Sequence, residues 1–142
     1  MSESALPVAA LKNRGGDTEK MTINLGVVDL GQIDLLIQEG FYSNRSDLIR
    51  TAIRTQLATH AETVKQTVAR RTLAVGLQHY GVGELTQIQA SGQTLRIRAL
   101  GLVRIATDVS PALALATIES ISVLGALQCS EAVRMALADR ID

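Results

Sequence analysis

Three apolar segments in the second half of the chain are each built around a glycine, and no other feature restricts the possible folds as strongly. They are Leu73-Ala74-Val75-Gly76-Leu77, Arg98-Ala99-Leu100-Gly101-Leu102 and Ser122-Val123-Leu124-Gly125-Ala126-Leu127, with the glycines 25 and 24 residues apart. Repeats at this period are the signature of stacked supersecondary units. Each segment leads through a turn into a helical stretch: Gly83 to about Ala90, Ser110-Pro111 to about Glu119, and Ser130 to about Arg140. Proline at a first helical position gives up no hydrogen bond, which makes Ser110-Pro111 a good start. Glu131 after Ser130 is favoured there by the helix dipole. A strand-turn-helix unit used three times predicts a small parallel, solenoid-like sheet with helices over one side. Its open edges invite pairing with another chain.

With 142 residues, 46% of them hydrophobic, the chain has material for a folded core in one or two small domains. Fourteen basic residues balance fourteen acidic ones, which excludes a polybasic nucleic-acid coat. Phe41, Tyr42 and Tyr80 are the only aromatics, too few for a surface that works by stacking bases. Cys129 is the single cysteine, so neither an intramolecular disulfide nor a thiolate zinc site is available. No run approaches the length of a membrane helix, and Ala5 to Leu11 lacks the charged start of a secretory signal. The sequence predicts a cytoplasmic protein with no membrane partner.

The first half is organised differently. Residues 1–18 contain Pro7 and Gly15-Gly16 without periodicity and predict a flexible arm carrying Lys12 and Arg14. In Lys20-Met21-Thr22-Ile23-Asn24-Leu25 apolar and polar residues alternate strictly, the pattern of a strand with one buried face. A strand this short needs a partner, which a second copy of the chain supplies most simply. From about Asp29 the spacing becomes helical, with Leu30, Ile33, Leu36 and Ile37 on one face and Gly40 closing the segment. A second helix follows Ser43, its expected N-cap, with apolar positions at 48, 49, 52, 53 and 57. It either runs on to Arg71 or breaks near Thr59-His60 and resumes.

A short amphipathic strand followed by two helices, the second opened by Ser43-Asn44-Arg45-Ser46-Asp47-Leu48-Ile49-Arg50, resembles the ribbon-helix-helix DNA-binding family of the Arc, MetJ and CopG type. The similarity covers Lys20 to about Leu57, roughly a quarter of the chain, and departs from the common pattern at Gly26-Val27-Val28, where many relatives carry Pro or Ser. It implies an intertwined homodimer whose paired strands enter the DNA major groove. Met21, Ile23, Leu25, Leu48, Ile49, Ala52 and Ile53 would form the dimer core, leaving Lys20, Thr22 and Asn24 to meet base edges. The N-terminus of the second helix, with Ser43, Asn44 and Arg45, would clamp the phosphate backbone. Arg45 has a second use, an ion pair with Asp47 or Glu39, while Arg50 and Arg54 suit solvated surface. Val27 and Val28, being apolar, are expected to be partly covered.

Other chemistry has little support. His60 and His79 lack companions at metal-ligand spacing, apart from Glu62 near His60, so no metal or cofactor is expected. Cys129 lies before a helix start, which can activate a thiol, but a lone cysteine in an apolar repeat serves more often as core. No phosphate-binding glycine run and no nucleophile, base and acid constellation argue for an enzyme. The expected fold is thus α+β: an arm over 1–18, a ribbon-helix-helix domain over 19–58, a helical linker over 59–71 and an α/β repeat domain over 72–142 that oligomerises the protein or receives a signal. The expected partners are double-stranded DNA and further copies of the chain. The expected function is a nucleoid-associated transcriptional repressor; the alternatives are a self-assembling DNA-anchoring or segregation protein and the antitoxin of a toxin-antitoxin pair. The neutral total is an average, because Asp29 to Glu39 holds three acids and no base while Arg45 to Arg71 holds six bases and two acids.

Overall fold

A computed structural model describes residues 18–142. Apart from Thr18, the expected N-terminal arm lies outside these residues. The chain divides into two compact units between Thr67 and Val68.

The first unit begins at Lys20, and residues 18–26 form neither helix nor sheet ladder. The strand expected over Lys20–Leu25 is therefore not formed in the single chain, since a strand exists only against a partner that accepts its hydrogen bonds. Helix α1 (Val27–Gln38) starts two residues earlier than the periodicity suggests. It takes in Val27 and Val28, whose expected cover is missing: both are exposed. Gly40 ends it in the left-handed region at φ +87°. The Gly40 amide donates to the Ile37 carbonyl and the Phe41 amide to that of Leu36, a Schellman closure that glycine permits at no steric cost. Helix α2 (Arg45–Thr59) follows, and the chain breaks at His60 before α3 (Ala61–Arg71), within which the division between units falls.

In the second unit the repeat becomes β1 (Ala74–Tyr80), α4 (Val82–Ala90), β2 (Leu95–Ile105), α5 (Pro111–Thr117), β3 (Ile118–Gln128) and α6 (Glu131–Ala136), followed by a 3-10 turn at Ala138–Arg140. The strands form one open sheet in the order β1-β2-β3, parallel throughout, as the repeat predicts. The three glycines of the repeat sit side by side, Gly76 opposite Gly101 and Gly101 opposite Gly125. All three have positive φ, +112°, +137° and +126°. A Cβ on Gly101 would collide with the carbonyl of Gly76, and one on Gly125 with that of Gly101. Only glycine lets neighbouring strands approach this closely.

Alternate residues of β2, Ile97, Ala99, Val103 and Ile105, point into the core, where Leu85 of α4, Ala114 of α5 and Val133 of α6 meet them. Helix α4 touches α5, and α5 touches α6. Ser110 and Ser130 cap their helices by accepting from the amides of Leu113 and Val133, at 3.1 and 3.2 Å. The second repeat helix stops at Thr117, short of the expected Glu119, because β3 begins at once with no loop between. The third stops at Ala136. Arg140 then donates to the carbonyls of Leu115 and Ile118, both at 2.8 Å, which ties the end of the chain to the α5–β3 junction.

Candidate nucleic-acid interface

The first unit is unusual in having no buried residue between Lys20 and Thr67. The helices do not enclose a core between them: Leu30, Ile33 and Ile37 of α1 are half-buried, and Leu35 and Leu36 are exposed. Met21, Ile23 and Leu25, expected in a dimer core, are 75%, 57% and 41% exposed. Leu48 and Ile49 are half-buried, and Ala52 and Ile53 are exposed. The burial expected of these seven residues is thus absent from the single chain, for the reason that forbids a lone strand: their partner surface is not within it. Lys20, Thr22 and Asn24, the polar members of the same alternation, are exposed as well.

The start of α2 is built by three side chains. Asn44, not Ser43, is the N-cap: its Oδ1 accepts from the Asp47 amide at 2.8 Å. Asp47 answers through Oδ2, which accepts from the Ser43 amide at 3.0 Å and the Ser43 hydroxyl at 3.1 Å. The exchange is close to a capping box, with the carboxylate reaching one residue further back. The sequence offered Asp47 only as an ion-pair partner of Arg45; its part in the cap is signalled by the spacing Asn44-x-x-Asp47. The amides of Arg45 and Ser46 have no intrahelical acceptor by position and stand at the positive end of the helix dipole.

Arg45 pairs with neither Asp47 nor Glu39. Its Nε and Nη2 reach the two carboxylate oxygens of Asp34 on α1, each at 2.9 Å. The fork holds the Asp34 carboxyl below the usual carboxylate range and raises Arg45, in both cases chiefly through the hydrogen bonds. This contact fixes the α1–α2 angle and brings a guanidinium to the α2 N-terminus. Arg50 and Arg54 are exposed further along the helix.

A family model for ribbon-helix-helix transcriptional regulators matches residues 16–134. The chain belongs to that family. The match takes in most of the C-terminal repeat as well as the strand-helix-helix segment. Comparison with curated proteins and with solved structures gave no match. Membership of the ribbon-helix-helix regulators makes this a protein of transcription regulation, with DNA and a second copy of the chain as its partners.

The remaining candidates fall elsewhere. Among the described residues no group of three or more His, Cys, Asp or Glu is placed to hold a metal ion, and no helix is long and apolar enough to cross a membrane. His60 sits within 3.2 Å of Gln56 through Nε2. Cys129 lies half-buried against the core, and burial pushes its thiol up, outweighing the nearby Arg134.

Proposed function

We propose that the protein is a sequence-specific transcriptional repressor that binds DNA as a homodimer. Two copies of Lys20–Leu25 pair antiparallel into a ribbon that lies in the major groove. Lys20, Thr22 and Asn24 face base edges: asparagine bonds adenine bidentately, lysine reaches guanine acceptors, and threonine offers a hydroxyl and a methyl group. Met21, Ile23 and Leu25 close over Leu48, Ile49, Ala52 and Ile53 of the two second helices. Ser43, Asn44 and Arg45, with the unbonded amides at the start of α2, hold the phosphates that set the ribbon's register. Function thus divides at the level of segments, with residues 1–18 as an arm, 19–58 reading DNA, 59–71 linking and 72–142 joining copies in a nucleoid-associated assembly.

The observation that carries this reading is the first unit itself, a family-matched fold with an alternating strand segment and not one buried residue. Its apolar side needs a second chain, and its polar side is then left as a ribbon surface. The test is binding to promoter-proximal DNA by the wild type and by a Thr22→Ala/Asn24→Ala variant. A loss of about 2–5 kcal/mol in specific affinity is expected, with non-specific binding retained. Equal specific binding by both would overturn the assignment of base contacts.

A further inference from the structure

Among the described residues the parallel sheet has two edges with no neighbouring strand, and they match each other. Among the described residues β1 pairs only with β2, and β3 pairs on its outer side only at Ile121, which Ile141 bridges while the Asp142 amide donates to the Ile121 carbonyl at 2.9 Å. Inside the chain β1 lies against the C-terminal part of β2, starting with Ala74 opposite Ala99. The residue of β3 level with Ala99 is Val123. The stretch of β3 that a further copy of β1 would need therefore begins at Val123, just past the position that Ile141 occupies.

We propose that the second unit joins head to tail, with β1 of one copy lying parallel to β3 of another and Gly76 opposite Gly125 of that second copy. The glycines support this register. At Gly101 and Gly125 the positive φ goes with a carbonyl of the preceding strand where a Cβ would be. Gly76 has the same backbone conformation at φ +112°, yet none of the described residues places an atom within 4 Å of its Cβ position. The carbonyl of Gly125 from another copy fills that space and continues the column by one more step of the same contact. Both edges also lack the features that normally keep sheets apart, since neither Ala74–Tyr80 nor Val123–Gln128 contains a proline, lysine, arginine or acid. Because the two edges differ, the contact is heterologous, and it builds rings or open arrays rather than stopping at a pair.

The proposal rests on the dimeric DNA-binding reading only for the ribbon that links copies at their other end. Its test uses the full chain with Cys129→Ser. One preparation carries V75C and the other L124C, positions that the register makes direct neighbours across the new junction. After mixing, a short bismaleimide is expected to link the two preparations several-fold more than it links either alone, and V75C/L124C in one chain should give a ladder beyond the dimer. Equal or greater linkage within each separate preparation overturns the proposal. The wild type supplies a check free of substitutions: sedimentation should show species heavier than a dimer that increase with concentration, and a dimer at all concentrations overturns it. Val75→Lys should abolish the heavier species while DNA binding by the dimer persists, and heavier species unchanged in that variant count against the edge contact. Loss of the DNA reading would show instead as a wild type that assembles and cross-links yet binds no DNA.

Discussion

Arg45 meets Asp34 through two nitrogens and two oxygens at 2.9 Å, and this fork has consequences for pH and for DNA. The folded-state pKa of Asp34 is depressed, so the stability it contributes is present above the unfolded carboxyl value of about 3.9 and is lost as pH falls through the lower folded value. The pair is exposed, so the effect is small. Acid titration of wild type against Asp34→Asn should show the difference only above the folded pKa of Asp34, and a difference that grows towards lower pH would contradict the assignment. At neutral pH the same substitution releases Arg45 and removes a negative charge. DNA affinity should then rise about twofold to fivefold, with the salt slope steeper by about one counterion. An unchanged slope would remove Arg45 from the phosphate clamp. The glycine column gives a second test at this scale. Within one chain Gly76→Ala meets only an unfavourable φ, so at concentrations too low for head-to-tail assembly it should cost about 1–2 kcal/mol in urea unfolding, whereas Gly101→Ala adds a collision with a neighbouring carbonyl and should cost about 3 kcal/mol or more.

At the scale of elements, what the sequence revealed follows from where each element finds its partners. The repeat strands and their parallel order were legible because Leu100-Gly101-Leu102 and its two counterparts repeat both composition and spacing, and each strand's partner lies in the same chain. The cap serines 110 and 130 were legible because capping is settled within four residues. Ser43 was misassigned for an equally local reason: Ser43 and Asn44 are both good caps, and the Asp47 carboxylate decides between them by engaging Ser43. The Asp34–Arg45 fork was illegible because it spans eleven residues and depends on the angle between two helices. The ribbon strand and dimer core remain readings of pattern and family, since the described residues of the single chain offer them no partner strand and bury none of them fully. Asn44→Ala should lower thermal stability by about 1 kcal/mol through loss of the cap, measurable as a fall in Tm. Asn44→Asp, which keeps the cap, should retain stability yet weaken DNA binding by setting a negative charge beside the phosphates.

For the whole molecule, the neutral total charge has to be read together with its segregation. DNA binding cannot draw on bulk positive charge, so it depends on placing a few groups correctly, and in the proposed ribbon two chains place them. On the proposed dimeric reading, folding and association are one event for the first unit, in which no residue is buried within the single chain. Its melting temperature should increase with protein concentration, by several degrees over a hundredfold range, as mass action requires when the folded state contains more than one chain. A Tm independent of concentration would mean that the first unit is stable by itself.

The glycine column also bears on how a chain of this type can change length. Each strand meets the next through the same glycine contact, so gain or loss of one complete unit by duplication or deletion would keep the glycines of the remaining strands aligned. A change of 24 or 25 residues, the spacing of the glycines, is then tolerated where a change of one or two is not, because the shorter shift breaks the alignment of the glycines. At these glycine contacts the spacing inside a unit is therefore constrained more tightly than the number of units.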